Sequence, residues 1–183
     1  APIKKEFVRW TLTGSPNKHE EDLRIAMDAD FRTPSLDYED LLKASRHLCR
    51  SPAVGKLQFR RAMFNLFACN QDDHSKNWAF LQDDAGEWVP APFYDVTFSP
   101  HPYQEHATAY AGFGKNPPLK AIQGLAARAG YAKWELARKD IDGIVDALAD
   151  FAAVARDFGV DRGTAELIGR QLDELRKVYG VSR

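Results

Sequence analysis

Apolar residues recur every three to four positions over much of this chain, which is the spacing of an amphipathic helix. A first helix is predicted after Asp37, a residue type that caps helix N-termini, and it should end at Ser51-Pro52. A second, more strongly apolar helix is predicted over Lys56–Cys69. Its apolar stripe consists of Leu57, Phe59, Met63, Phe64, Leu66 and Phe67, with Arg60 and Arg61 as polar breaks. Whatever follows Cys69 would therefore be held at the end of a rigid, buried element.

The C-terminal third repeats the helical pattern. Helices are predicted over residues 119–129, 133–158 and 164–179. A glycine follows each of them, as is common at helix C-termini, at Gly130, Gly159 and Gly180. Gly143 is a candidate position for a kink in the longest of the three.

A short β-hairpin pattern lies between the two helical regions. Trp78–Gln82 is apolar and aromatic, Asp83–Gly86 has the composition of a turn, and Glu87–Val89 suits a returning strand. Prolines then end the extended pairing, and Asp95 follows them. The hairpin would carry Asp95 back beside the segment that precedes Trp78. The pattern as a whole predicts a mainly helical α+β fold with one small hairpin.

Two segments have weaker patterns. Residues 101–118 are rich in proline and glycine, so an irregular segment is expected there. Its aromatic residues Tyr103, Tyr110 and Phe113 would either pack the segment down or form a lip for a partner. Residues 1–34 are poorly defined, although Phe7–Thr13 suits a strand and Glu20–Asp30 a short helix.

Composition narrows the class of protein. The chain has 183 residues, of which 44% are hydrophobic, enough for one domain with a substantial core. A formal net charge of −1 gives no global basic field, so direct binding of nucleic acid is not expected. No apolar run reaches the roughly 18 residues that span a membrane, and no signal peptide is evident. Cys49 and Cys69 lie in apolar helical contexts, which indicates buried thiols in a reducing compartment, and a cytoplasmic location is expected.

Oxygen-rich side chains are concentrated directly after the second helix, in the stretch Asn70–Asn77. Asp72 and Asn77 are five positions apart, which is the spacing of Asp and Asn in a protein-kinase catalytic loop. Asp95 returns after the hairpin as a second carboxylate. This spacing predicts a phosphoryl-transfer site that uses Mg²⁺ and ATP.

Phosphoryl-transfer chemistry gives these side chains separate roles. Asp72 would orient the acceptor hydroxyl and take its proton. Asn77 and Asp95 would hold Mg²⁺, which prefers oxygen ligands. Lys76 would contribute to catalysis and to nucleotide binding by screening phosphate charge; the alternative is a lysine that faces solvent. His74 is a second candidate for nucleotide binding, and a hydrogen bond to the loop backbone is favoured for it over proton transfer. Asp73 is the other candidate for the base, although its spacing to Asn77 fits less well.

Two stretches resemble the C-terminal domain of HipA-like serine/threonine kinases, the toxins of bacterial toxin–antitoxin modules. They are Phe64–Asn77, which contains Asp-Asp-His-Ser-Lys-Asn, and Trp88–Asp95, which ends in Tyr-Asp. Leu36–Leu42 and Gly112–Pro118 are similar to that family as well. The resemblance covers about residues 35–180. It implies a kinase-like C-terminal lobe with Asp72 as the base and with Asn77 and Asp95 as magnesium ligands.

The resemblance also implies partners. These are a protein substrate, for example an aminoacyl-tRNA synthetase, and an antitoxin that binds DNA. A complete kinase needs a phosphate-covering loop and an ATP-positioning lysine, and residues 1–34 contain no glycine-rich loop. We therefore divide the chain into residues 1–34, compatible with the remnant of an N-terminal lobe, and a kinase C-terminal domain over residues 35–183. A separate chain could supply the missing lobe.

Two other functions stay open on the sequence. The first is a kinase-derived binding or regulatory module with an incomplete nucleotide site. The second is a metal-dependent phosphohydrolase that uses Asp72, Asp73, His74 and Asp95, although two-metal sites usually need more convergent ligands. A zinc site is disfavoured because the cysteines and histidines lack zinc-ligand spacing.

Overall fold

The computed structural model describes residues 36–82 and 85–180. Within them, the helices are α1 (Tyr38–Cys49), α2 (Pro52–Phe67), α3 (Leu119–Arg128), α4 (Trp134–Ala149), α5 (Phe151–Asp157) and α6 (Arg162–Val178). The strands are β1 (Leu36–Asp37), β2 (Phe80–Gln82), β3 (Trp88–Pro90) and β4 (Thr108–Ala109). The mainly helical α+β fold expected from the sequence is confirmed. The strand and helix predicted before residue 35 lie outside the described residues.

Helix α2 is the centre of the fold. It packs against α1, α3, α4 and α6, and residues from all parts of it are buried. The core around it contains Leu41 and Leu42 of α1, Phe59, Met63, Leu66 and Phe67 of α2, Ile122 and Leu125 of α3, and Ile141 and Val145 of α4. The long apolar stripe predicted for this helix is therefore the surface on which the other helices assemble.

Asp37 does more than cap α1. Its side chain accepts a hydrogen bond from the Glu39 N–H at 2.7 Å, as an N-cap does. The same carboxylate accepts from the N–H groups of Ala111 and Gly112 at 3.1 Å and 2.6 Å. Both of these residues have positive φ, and in this conformation both N–H groups point towards the Asp37 carboxylate. One side chain thus fixes both the start of α1 and the glycine-rich turn that follows β4.

The predicted hairpin is confirmed. β2 and β3 pair antiparallel, with Phe80 opposite Pro90 and Gln82 opposite Trp88; the turn residues 83–84 lie outside the described part. A second pairing was not predicted, in which β1 runs parallel to β4 with Leu36 beside Thr108. Each of these strands has two residues, too few to give an alternating pattern.

The helix predicted over residues 133–158 is wrong in one respect, because it is two helices. α4 continues through Gly143, where a kink was considered, and ends at Ala149. The Asp150 carbonyl then accepts from the N–H groups of both Ala153 and Val154, at the start of α5. The break lets α5 pack on α6. The glycines predicted to end helices are confirmed, since Gly130, Gly159 and Gly180 all have positive φ.

The segment over residues 101–118 is mostly irregular, as predicted. Of its three aromatic residues, Tyr110 is fully buried, whereas Tyr103 and Phe113 are 73% and 45% exposed. Both cysteines are buried and free, as predicted, and burial raises the pKa of each thiol to about 11. No helix in the described part of the chain is long and apolar enough to cross a membrane.

Gly55 is the closest approach between α2 and the end of α3. A Cβ at this position would lie 2.6 Å from the Ala129 carbonyl oxygen. We predict that Gly55→Ala lowers the free energy of unfolding by about 1–3 kcal/mol, because backbone atoms must shift to make room. Urea denaturation at equilibrium measures this loss.

Gly143→Ala is the matched control, since a Cβ there meets nothing within 4 Å. It lies inside α4, so alanine should stabilise the protein by up to about 1 kcal/mol. Equal stability of Gly55→Ala and the wild-type protein would show that the two helices are not in tight contact.

Candidate functional site

The oxygen-rich loop begins where α2 ends, and its first residues form backbone hydrogen bonds with Ser99. Cys69 has a φ of 54° and turns the chain out of the helix. Its carbonyl accepts from the Ser99 N–H at 3.1 Å, and the Ser99 carbonyl accepts from the Gln71 N–H at 3.2 Å. The loop therefore starts with strand-like pairing to Ser99, which lies beyond the hairpin.

Buried amide side chains reinforce this junction. The Asn70 side-chain amide donates to Asn65 Oδ1 at 2.9 Å, and the Ser99 hydroxyl donates to Asn70 Oδ1 at 2.8 Å. The Asn65 amide in turn donates to the Tyr38 hydroxyl at 2.9 Å. Since buried polar groups need partners, this chain of contacts fixes the loop to both α1 and α2.

Asp73 lies at the centre of the loop's interactions and is completely buried. One carboxylate oxygen, Oδ2, accepts from the Tyr38 hydroxyl at 2.7 Å and lies 2.9 Å from His106 Nδ1. The other, Oδ1, accepts from the Thr108 N–H at 3.1 Å. The Thr108 hydroxyl also donates to the Asp73 carbonyl. Buried in this way, Asp73 does not face solvent as a base that meets a substrate should.

Asp72 has the opposite environment. Its side chain is 67% exposed, while its backbone carbonyl accepts from the Asn77 side-chain amide at 2.8 Å. The Asn77 N–H donates to the His74 carbonyl at 3.0 Å, which closes a single 3₁₀ turn over Ser75–Asn77. The five-residue spacing seen in the sequence is thus a direct contact, and it turns the Asp72 carboxylate outward.

The other predicted site residues surround this turn. His74 Nε2 lies 3.7 Å from Asp72 Oδ1, and its Nδ1 is buried without a hydrogen-bond partner among the described residues. Lys76 is exposed, and its carbonyl accepts from the Tyr94 hydroxyl at 2.5 Å. Asp95, next in sequence, is exposed with a φ of 53°. The structure therefore joins Asp72, His74 and Asn77 directly, and it links the Asp95 segment to the loop through Tyr94.

Arg61 anchors the chain on its way to Asp95, a role that the sequence did not suggest. Its guanidinium donates to the Ala91 carbonyl at 2.7 Å and lies 5.3 Å from the centre of the Phe93 ring. Burial lowers the pKa of this guanidinium. In the sequence, Arg61 is a charged residue within an apolar helix stripe, and this was the only feature that could have indicated a structural role.

The two tyrosines beside Asp73 are held in their neutral form. Burial raises the pKa of Tyr38 and Tyr110 well above the ordinary value, and the nearby Asp73 charge raises both further. The Tyr110 hydroxyl donates to the Ala62 carbonyl at 2.9 Å. Because it stays protonated, the Tyr38 phenol remains a hydrogen-bond donor to Asp73.

Asn77 and Asp95 offer oxygen atoms of the kind that Mg²⁺ prefers. The Asn77 amide nitrogen is used on the Asp72 carbonyl, so the amide oxygen is the atom suited to a cation, and Asp95 offers a carboxylate. Mg²⁺ commonly takes one or two protein ligands and completes its shell with water and phosphate. No cluster of three or more His, Cys, Asp or Glu side chains suited to a metal occurs in residues 36–82 and 85–180. The arrangement therefore resembles a shared site more than a closed protein cage.

Comparisons with known proteins give the family of the chain and a solved structure of similar fold. The chain matches the HipA-like C-terminal domain family over residues 9–175. It is similar in fold to a chain in a solved complex of the Shewanella oneidensis MR-1 toxin–antitoxin system HipA, HipB and its operator DNA, with 21% identity and a TM-score of 0.60. That match covers 78% of this chain and 35% of the other. Comparison with curated proteins gives no match. Since the family match covers most of its length, the chain belongs to the HipA-like C-terminal domain family.

Proposed function

We propose that this chain is the catalytic C-terminal part of a HipA-like serine/threonine protein kinase, which transfers phosphate from Mg-ATP to a protein hydroxyl. The observation that carries this proposal is the hydrogen bond from the Asn77 side chain to the Asp72 carbonyl. It converts a kinase-like spacing into a turn that exposes the Asp72 carboxylate and keeps Asn77 beneath it.

Each step of the transfer has a residue suited to it. The Asp72 carboxylate orients the acceptor hydroxyl and takes its proton as the oxygen attacks the γ-phosphorus. The bond between the γ-phosphorus and the bridging oxygen breaks, and ADP leaves with that oxygen. Asn77 and Asp95 would hold Mg²⁺, which neutralises charge on the phosphates when it is bound. Lys76 adds positive charge, and His74 faces the Asp72 carboxylate from one side.

The proposal extends to partners and cellular context. The similar solved complex contains HipA, HipB and operator DNA, which supports a DNA-binding antitoxin as the partner and a toxin–antitoxin module as the context. We propose a protein acceptor, for example an aminoacyl-tRNA synthetase, and therefore a cytoplasmic site of action. Because this chain spans 35% of the matched chain, we propose that the complete enzyme supplies the phosphate-covering loop and ATP-positioning lysine from an N-terminal lobe.

The second candidate is a kinase-derived binding or regulatory module without a competent nucleotide site, since residues 1–34 contain no glycine-rich loop. The phosphohydrolase has less support. Asp73, one of its four proposed metal ligands, instead uses both carboxylate oxygens within a buried protein network.

The role of Asp72 is tested by Asp72→Asn in the complete enzyme. We expect phosphoryl transfer to fall by about 100-fold or more, because the amide cannot take a proton. Stability should change by less than about 0.5 kcal/mol, since the side chain is exposed. Asp146→Asn, at an exposed position of α4, removes the same charge elsewhere and should leave transfer unchanged. Wild-type transfer by Asp72→Asn would refute the assignment of the base.

Calorimetry of the complete enzyme with Mg-ATP separates the kinase from the regulatory module. We expect saturable binding that is lost in EDTA and strongly weakened in Asp95→Asn. Asparagine suits this test because it tolerates the positive φ of Asp95 while removing the charge. The absence of binding would favour the regulatory module, and binding that is indifferent to both metal and Asp95 would contradict the proposed magnesium site.

A further inference from the structure

We propose that Asp73 is the positioning residue of this site: its buried carboxylate, held by Tyr38, His106 and Thr108, fixes the backbone that presents Asp72. For its catalytic readout the inference rests on the proposed kinase function. The holding of the loop itself can be measured without any activity.

Asp73 joins three elements that are far apart in sequence. Tyr38 starts α1, Thr108 starts β4, and His106 precedes that strand; each lies 33 to 35 positions from Asp73. All four side chains are buried, with His106 the most accessible at 6%. Water has little access to these groups, and direct contacts hold the loop to α1 and β4.

The chemistry of the carboxylate sets the proton positions. An ionised carboxylate only accepts hydrogen bonds, so with Asp73 ionised the form of His106 that carries a proton on Nδ1 donates to Oδ2 over 2.9 Å. Together with the Tyr38 hydroxyl and the Thr108 N–H, three donors then converge on two oxygens. A buried charge needs such a complete set of partners.

The network controls two successive peptide groups. The Asp72 carbonyl accepts from the Asn77 side chain, and the Asp73 carbonyl accepts from the Thr108 hydroxyl. With both carbonyls held by side chains and the Asp73 side chain directed inward, the neighbouring Asp72 side chain is left on the solvent side. The orientation of the proposed base is thus set by the residue that follows it.

An asparagine side chain at position 73 cannot accept all the hydrogen bonds that the Asp73 carboxylate accepts. If the NH₂ group of the asparagine faced Thr108, two hydrogen-bond donors would meet, because the Thr108 backbone N–H can only donate. If it faced Tyr38 and His106, the histidine would have to move its proton, and the Tyr38 hydroxyl, which already accepts from Asn65, would lose its acceptor. Asp73→Asn should therefore loosen the loop while keeping its size and shape. Thr108→Val is a milder variant of nearly equal shape that frees only the Asp73 carbonyl.

The test compares amide hydrogen exchange and turnover in Asp73→Asn, Thr108→Val and Gly55→Ala. Gly55→Ala is the matched control, because it perturbs the core between α2 and α3 and touches no part of the network. Relative to amides in α2, the amides of residues 77 and 108 should exchange at least 10-fold faster in Asp73→Asn. In Thr108→Val, where the residue 108 N–H keeps its bond to Asp73 Oδ1, the rise is expected at Asn77. Both amides should keep their relative rates in the control. In the complete enzyme, kcat for phosphate release from Mg-ATP should fall at least 10-fold at an ATP KM within about twofold.

The outcomes distinguish a failure of the positioning role of Asp73 from a failure of the kinase assignment. Exchange at Asn77 and Thr108 that rises no more than exchange in α2 would overturn the positioning role, whatever the turnover. A loosened loop with unchanged kcat, in an enzyme that Asp72→Asn inactivates, would also overturn it. If Asp72→Asn and the network variants all turn over normally, the kinase assignment fails, and the exchange data alone decide whether Asp73 holds the loop.

Discussion

A carboxylate taken wholly out of water is the constraint around which this part of the fold is organised. Burying Asp73 would cost several kcal/mol without compensating donors, so Tyr38, His106 and Thr108 must all be in place. Because these three partners surround Asp73, the start of α1, the end of α2 and the irregular segment before β4 lie next to one another. The exposed face of the same loop, at Asp72, is then supported by the buried side of the loop as well as by its own bond to Asn77.

The sequence was sufficient for the features that depend on local spacing. Helical periodicity predicted α1, α2, α3 and α6, because burying one face of a helix leaves a period of 3.6 residues. The interval from Asp72 to Asn77 marked both residues as candidates, and the structure places them in direct contact. The membership of the site and the chemical roles of its residues, both predicted from spacing and from the family resemblance, stay proposals.

Features that depend on contacts between residues far apart in the chain could not be predicted from the sequence. Asp73 looked like its neighbour Asp72, and only the burial of one and exposure of the other separates them. His106 and Thr108 lie in a proline- and glycine-rich segment with no period to mark an inward face. The break at Asp150 escaped notice for a related reason: α5 turns to pack on α6, and such a tertiary contact leaves no local trace.

The most direct test of the account is crystallography of the complete protein with Mn²⁺ in place of Mg²⁺ and a non-hydrolysable ATP analogue. The account predicts an anomalous peak between the Asn77 side-chain oxygen and the Asp95 carboxylate, about 2.1 Å from each, with phosphate oxygens completing the shell. It also predicts that the Asn77 amide still contacts the Asp72 carbonyl. A metal bound with phosphate but away from both Asn77 and Asp95 would contradict it.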